Sequence, residues 1–260
     1  MNKWRVSDRL IAVGADGIRG GWIAALCIDD PKRARRRHTA LKLFTDVRQL
    51  DRYRRRHGED APVAMDIPIG LTEEGGFRDC DREARERLGD RRSTVFAPPG
   101  RYLLEAGTTY RTVRDLVEER RRAEGAERVP GVSAQSAALI PKIREVDHLV
   151  RAYGLSAPEC FLEAHPELSF HRMNGDRPLP PKHTLIGQHA RARLVTDHFP
   201  DFEEALGRYG TRSSRQIEDI LDAYAALWTA LRWAERKPEV EVLGGQERDP
   251  RTGHEMRMVV

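Results

Sequence analysis

The chain has 260 residues, of which 39% are hydrophobic and 33% charged. These values exclude a disordered or fibrous chain and predict one globular domain over residues 1–260, with room for insertions. No apolar run approaches the roughly 20 residues that span a bilayer, and residues 1–9 lack the apolar stretch of a signal peptide, so we expect a cytoplasmic protein without membrane contact. The net charge of +4 favours an acidic partner, of which nucleic acid is the obvious one.

Short apolar or alternating segments near the N-terminus predict a three-stranded antiparallel meander, followed by a helix and a fourth strand. The predicted strands are Leu10–Ala15, Trp22–Ile28, His38–Phe44 and Pro62–Asp66. The helix between the third and fourth strands covers Asp46–Arg56 and is capped by Thr45 or Asp46.

A long, polar and mostly helical stretch then separates the fourth strand from a fifth. The predicted helices are Asp81–Leu88, Val113–Glu124, Ser136–Val150, Thr184–His198 and Ile217–Glu235, and the fifth strand is Cys160–Ala164. Ser213 and Gln216 form a capping box before the last helix, and Val240–Leu243 with Met256–Val260 predicts an edge hairpin of the sheet. With helical crossovers before them, the fourth and fifth strands should run parallel to the first.

Acidic residues fall where these elements end or converge. Asp16, Asp66 and Glu163 end the first, fourth and fifth strands, and Asp219 and Asp222 share one face of the last helix. Converging carboxylates repel one another unless cations neutralise them, and all-oxygen ligands favour Mg²⁺ or Mn²⁺. The sequence therefore predicts a two-metal site. Each acid alone has another explanation: an aspartate after a strand is often a turn or cap residue, and Asp219, in the predicted first turn of its helix, would suit the helix dipole.

Several basic side chains are candidate substrate contacts. His165 flanks Glu163 and could orient water, contact phosphate or make a structural hydrogen bond. Lys142, Lys182 and Arg191 could bind phosphate or face water. An arginine-rich cluster is open to the same two interpretations; it comprises Lys32, Arg33, Arg35, Arg36, Arg37, Arg52, Arg54, Arg55 and Arg56.

Ordered motifs from Ile11 to Trp233 resemble a widespread, largely uncharacterised prokaryotic domain family described as predicted nucleases of RNase H fold. The motifs are VGADGIRGGW, AMDIPIGL, RDCDREARERLG, STVFAPP, KIREVD, EAHPELSF, PKHTLIGQHAR and DILDAYAALWTA. DILDAYAA is also similar to a helix segment of RuvC-type resolvases in which both acids serve metals. The resemblance implies an α/β, RNase H-like mixed five-stranded sheet flanked by helices, with metal-binding roles for Asp16, Asp66, Asp219 and Asp222. Residues 71–156 would be a helical insertion between the fourth and fifth strands, which sets the chain apart from RuvC.

Three functions follow as hypotheses. The first is a nuclease that cuts DNA or RNA with Mg²⁺ or Mn²⁺; the oligomeric state stays open. The second is a nucleotide-binding phosphotransferase of the actin–hexokinase kind, in which Gly17, Gly20 and Gly21 would bring the backbone close to an anion. The third is a catalytically inactive nucleic-acid-binding module.

Overall fold

The strands and helices follow each other along the chain much as the sequence pattern predicts. A computed structural model describes residues 8–32, 37–105, 109–154, 157–210 and 214–260. The strands are β1 (Arg9–Ile18), β2 (Gly21–Asp29), β3 (Arg37–Phe44), β4 (Val63–Met65), β5 (Phe161–Glu163), β6 (Val242–Arg248) and β7 (Glu255–Val259). The helices are α1 (Val47–His57), α2 (Asp79–Leu88), α3 (Tyr110–Glu124), α4 (Ala134–Tyr153), α5 (Ala157–Cys160), α6 (Pro166–Met173), α7 (Leu185–His198), α8 (Phe202–Tyr209) and α9 (Ser214–Ala234). Within these ranges no helix is long and apolar enough to cross a membrane.

Two details of the predicted elements change. Helices α5, α6 and α8 are additional, because helices of four to eight residues show too little periodicity to stand out in a sequence. Helix α9 begins at Ser214, so Asp219 lies in its second turn, and the prediction that Asp219 is a first-turn acid is wrong. The capping residue proposed for this helix, Ser213, lies outside the described residues.

The central sheet is mixed and five-stranded, as predicted. Its order is β3-β2-β1-β4-β5. Strand β2 is antiparallel to both β1 and β3, whereas β4 is parallel to β1 and β5 is parallel to β4. The carboxyl ends of the three parallel strands therefore lie at one edge of the sheet.

Helices cover both faces of this sheet. Helix α9 packs along β1, where an added Cβ at Gly14 would lie 1.9 Å from the backbone nitrogen of Leu227. Side chains alternate along a strand, so Val13, next to Gly14, points to the opposite face. Phe161 belongs to that face too, because both residues are register partners of Val63 on β4. On that face the Arg54 guanidinium of α1 lies 5.7 Å from the ring centre of Phe161.

Helix α9 is the central element of the core. All residues from Ile220 to Trp228 are buried, which explains the length and apolar character of this segment. The buried hydroxyl groups of Tyr224 and Thr229 form hydrogen bonds within the core. The Tyr224 hydroxyl lies 2.8 Å from the Thr39 hydroxyl, and the Thr229 hydroxyl lies 2.9 Å from the Ser169 hydroxyl. A helix held this tightly gives its polar residues fixed positions.

The chain divides into two compact units. The first, which we call the sheet unit, comprises the described residues of Met1–Asp66, Glu159–Glu241 and Val260. The second, the helical unit, comprises Ile67–Pro158 and Val242–Val259. The residues between β4 and β5 thus form a unit together with the hairpin of β6 and β7. These two strands pair as a sheet of their own, so the prediction that the hairpin extends the edge of the central sheet is wrong.

Buried arginines organise the helical unit. Arg78 pairs with Asp81 at 2.8 Å, and both side chains are fully buried. Arg101 contacts Asp147 at 2.8 Å and also pairs with Asp249, whose carboxylate accepts the backbone N–H of Leu71 at 2.8 Å. These contacts tie the hairpin to the helices, since buried charges persist only when they are paired and hydrogen-bonded.

The arginine-rich cluster is not a uniform surface feature. Arg54 is 1% exposed and its Nε donates to Asp51 at 3.0 Å, so this arginine has a structural role. Arg33, Arg35 and Arg36 lie outside the described residues.

Candidate metal centre

Two aspartates lie side by side where β1 and β4 end at the sheet edge. Ala15 is the register partner of Met65, and the N–H of Asp66 donates to the Ala15 carbonyl at 3.3 Å, which continues the ladder by one residue. Asp16 and Asp66 thus occupy equivalent positions on adjacent parallel strands. Both belong to the face that α9 covers, because Asp16 is two residues beyond Gly14.

Helix α9 adds further carboxylates to this face. The carbonyl of Ala223 would lie 2.2 Å from a Cβ at Gly14, so the helix backbone touches β1 next to Asp222. Asp222 itself is 6% exposed. Asp219, one turn earlier, is partly exposed. The absence of a side chain at Gly14 therefore sets how closely Asp222 approaches Asp16. A glycine inside a predicted strand can indicate such a close approach of another backbone.

The electrostatics of Asp16 show that the acids converge. Burial raises the pKa of Asp16 well above its ordinary value, and the charges of Asp222, Asp66 and Asp219 raise it further. Lys182 acts in the opposite direction. Four carboxylates from two strands and one helix therefore share one electrostatic environment, and this cluster is what we call the carboxylate centre.

Asp66 is perturbed in the same way. Burial, supported by the charge of Asp222, raises the pKa of Asp66 to about 6, against the lowering effects of His165 and Lys182. Asp16 and Asp66 nevertheless keep part of their surface open to solvent. The carboxylate centre is thus embedded in protein and yet reachable by an ion.

Lys182 is the cation that the structure places on the carboxylate centre. Its Nζ lies 2.8 Å from Oδ2 of Asp222, while its side chain is 47% exposed. Burial opposes the charge on Lys182, but Asp222, Asp66 and Asp16 outweigh that effect and raise its pKa. Within the described part of the chain, Lys182 and His165 both lower the pKa of acids in the carboxylate centre, whereas the other carboxylates of the centre raise the pKa of Asp16.

The other strand-end candidates divide between the two faces. Glu163 is the register partner of Met65, which places it opposite the face of Asp16 and Asp66, buried at 5% exposure. His165 follows two residues later and lies close enough to Asp66 to lower its pKa. The structure therefore brings His165 to the carboxylate centre and does not bring Glu163 there.

The remaining basic candidates have partners of their own. Arg191 is 1% exposed, and its Nη2 donates to both carboxylate oxygens of Glu167 at 2.9 and 2.6 Å. Lys142 belongs to the helical unit, where its ammonium lies 3.4 Å from Glu145. Sequence reasoning missed that Arg191 is buried, because a helical arginine next to polar residues looks like a surface residue.

The glycine-rich turn after β1 has a structural explanation. Ile18 pairs with Gly21, so Arg19 and Gly20 form a two-residue hairpin loop, and the φ of +81° at Gly20 suits glycine. At Gly21 an added Cβ would lie 2.1 Å from the carbonyl oxygen of Phe44 on β3. Strand pairing therefore accounts for both glycines without an anion.

The donor set fits a hard divalent cation. Asp16, Asp66, Asp219 and Asp222 offer carboxylate oxygens alone, the ligands that Mg²⁺ and Mn²⁺ prefer. Burial first, and the neighbouring carboxylates second, raise the pKa values of Asp16 and Asp66, and a bound cation would oppose both effects.

Metal binding should weaken as the pH falls through about 6. The pKa of Asp66 is about 6 in the folded chain and near 3.8 in the unfolded chain, so protons compete with the cation below pH 6. In isothermal titration calorimetry we expect the Kd for Mn²⁺ to rise about tenfold for each unit below that value. An affinity that stays constant between pH 5 and pH 7 would contradict this assignment.

The same shift predicts how the metal-free protein responds to pH. A folded-state pKa above the unfolded value means that ionised Asp66 destabilises the fold above about pH 6 and no longer does so below about pH 4. The effect is on the order of 3 kcal/mol, since a tenfold difference in proton affinity is worth about 1.4 kcal/mol. Urea denaturation of Asp66→Asn beside the wild type should therefore show the variant gaining relative stability as the pH rises.

The fold and the centre define a class: a mixed α/β protein with a carboxylate cluster at the carboxyl edge of its parallel strands. The chain belongs to the family described as protein of unknown function DUF429, whose model matches residues 14–246. This match confirms the resemblance to an uncharacterised domain family. Neither the curated proteins nor the solved structures contained a match to the chain.

Proposed function

We propose that this protein is a metal-dependent nuclease of RNase H-like fold that hydrolyses phosphodiester bonds of DNA or RNA. The observation that carries the proposal is the convergence of Asp16, Asp66, Asp219 and Asp222 on one another, with raised pKa values for the two strand-end acids. The order and directions of the five strands agree with the RNase H-like sheet that the sequence resemblance implies. In this interpretation, residues 71–156 are an insertion between β4 and β5.

The four aspartates would hold Mg²⁺ or Mn²⁺ through their carboxylate oxygens. When bound, such cations activate water and stabilise the charge that develops on the phosphate and on the leaving oxygen. Asp16 and Asp66 would bind from adjacent strands and Asp222 from the helix that packs on β1, so this packing would set the spacing of the ligands.

Two basic residues complete the site. His165, beside Asp66, would orient the attacking water or contact the phosphate. Lys182 can release Asp222 when a cation arrives, because its half-exposed side chain is free to turn towards solvent or towards a bound phosphate. Lys182 thus holds the metal-free centre together and contributes a positive charge to the substrate complex.

A cleavage panel tests this function. Wild-type protein with Mn²⁺ is incubated with single-stranded DNA, duplex DNA, RNA, an RNA–DNA hybrid and branched DNA, beside Asp16→Asn and beside samples in excess EDTA. We expect cleavage of at least one substrate, its loss in EDTA, and a decrease of at least about a hundredfold in the variant.

Other outcomes would identify the alternatives. Equal cleavage by Asp16→Asn, or undiminished cleavage in EDTA, would exclude this mechanism. Oligonucleotide binding without any cleavage would favour an inactive binding module. A rise in melting temperature with ATP and Mg²⁺, but none with an oligonucleotide, would favour a phosphotransferase-like protein.

A further inference from the structure

Two adjacent apolar side chains are exposed at the start of α7. Leu185 is 85% exposed and Ile186 is 72% exposed. Isolated apolar residues are common on protein surfaces, whereas a pair of this size at one point is a candidate contact surface.

The backbone beneath this pair is fixed. The hydroxyl of Thr184 accepts the N–H of Gly187 at 3.0 Å and caps the helix. A Cβ at Gly187 would lie 2.0 Å from the carbonyl oxygen of Pro181, so the helix start packs directly on the preceding loop. Arg191 donates to the carbonyls of Pro180 and Gly187 at 2.8 and 3.0 Å.

This anchoring continues into the core. The same guanidinium makes two hydrogen bonds to Glu167 on α6, and both side chains are buried. Leu185 and Ile186 are therefore presented by a preorganised segment, and a ligand that contacts them would order little additional backbone.

The apolar pair follows closely in the chain on a lysine of the carboxylate centre. Lys182, whose Nζ contacts Asp222, precedes Leu185 by three residues. Three residues of chain span at most about 10 Å between Cα atoms. A ligand whose phosphate occupies the carboxylate centre would have its neighbouring groups within reach of the pair.

The segment that carries the pair is itself basic, while α9 places Glu218 on Gln188 and Asp222 on Lys182. Residues 177–196 contain no aspartate or glutamate. The exposed basic side chains of this stretch are Arg177, Lys182, His183, His189 and Arg193. A surface that combines exposed cations with an apolar pair suits a ligand with a charged backbone and apolar faces.

We propose that residues 177–193, which we call the basic–apolar segment, bind single-stranded nucleic acid, with the cations on phosphates and Leu185 and Ile186 against unpaired bases. In a duplex the faces of the bases are stacked and covered, whereas in single strands they are open to apolar contact. The inference rests on the proposed function and specifies its substrate: a single-stranded or locally unpaired region.

Binding of matched oligonucleotides tests this proposal. The probes are fluorescent adenine oligonucleotides of about 15 nucleotides, as DNA and as RNA, and an abasic strand with the same number of phosphates. Anisotropy is measured with Ca²⁺, which accepts the same oxygen ligands. The wild type should bind base-containing strands about tenfold more tightly than the abasic strand, and the double variant Leu185→Ser, Ile186→Ser should bind both alike.

Two variants serve as controls. Arg193→Gln should lower the slope of log Kd against the logarithm of the salt concentration by about one, and it should keep the preference for base-containing strands. The double variant should keep the wild-type slope. Val242→Ser removes a 43% exposed apolar side chain from the helical unit and should change neither property. A base preference with either sugar supports the proposal.

An unchanged base preference in the double variant would overturn the proposal, as would a wild type that binds no oligonucleotide. It would also be overturned if the double variant only converted a dimer into a monomer, because the pair would then contact a second copy of the chain. Cleavage measured on the same strands with Mn²⁺ separates the two proposals. Cleavage without base preference refutes this inference alone, and base preference without cleavage refutes only the nuclease function.

Discussion

In an Asp222→Asn variant the rate of metal-dependent cleavage should fall at least about a hundredfold. The rise in melting temperature that Mn²⁺ gives the wild type should disappear. Asp222 is buried at 6% exposure on a helix that packs directly on β1, and among the charged neighbours of Asp16 it has the strongest effect on the pKa of Asp16. An asparagine keeps the shape of the side chain but removes the charge that attracts a cation. Differential scanning fluorimetry with and without Mn²⁺, together with the cleavage assay, measures both effects.

Asp219→Asn should have a smaller effect on both measurements. Asp219 is partly exposed, and its charge acts on Asp16 less strongly than those of Asp222 and Asp66 do. We expect weakened Mn²⁺ binding that higher Mn²⁺ concentrations restore. A loss in Asp219→Asn equal to that in Asp222→Asn would mean that the two residues are equivalent ligands.

Lys182→Met is the matched control for Asp222→Asn, because it breaks the same ion pair from the other side and leaves the carboxylate in place. Removing the competing ammonium should leave Mn²⁺ binding at least as tight as in the wild type. If both variants lost stability equally and neither changed the response to Mn²⁺, the pair would be purely structural. Asp222 would then not be a metal ligand.

Gly14→Ala should destabilise the protein by about 3 kcal/mol, close to the upper end for an overpacked core. The new Cβ would lie 1.9 Å from the nitrogen of Leu227 and 2.2 Å from the carbonyl oxygen of Ala223, and backbone atoms cannot turn aside as a side chain can. Helix α9 would have to move away from β1 and carry Asp222 with it. The variant should therefore also show a reduced response to Mn²⁺, and urea denaturation measures the loss of stability.

Gly207→Ala on α8 is the control for this substitution. Nothing lies within 4 Å of the position of its added Cβ. Replacing an exposed helical glycine by alanine should stabilise the chain by up to about 1 kcal/mol. A Gly14→Ala protein as stable as Gly207→Ala would contradict the close packing of α9 on β1.

The sequence by itself determined the order and type of the main elements. Apolar runs bounded by turn residues predicted all five strands of the sheet and their directions, because alternation and short connections depend on neighbouring residues. Asp16 and Asp66 could be paired in the same way, since Asp16 directly follows the first predicted strand and Asp66 is the last residue of the fourth. The family resemblance was likewise readable from ordered motifs.

Only the tertiary structure decided which charged residues meet at the carboxylate centre. Register and pleat place Glu163 on the face opposite Asp16, and a strand-end position alone does not reveal the face. Lys182 reaches Asp222 across 40 residues of chain, while Arg191 turns inward to Glu167. Such pairings depend on how distant helices pack against the sheet. In this protein α9 packs directly on Gly14; a glycine inside a predicted strand can indicate a close approach, but it does not identify the helix that approaches or the acids that this helix brings.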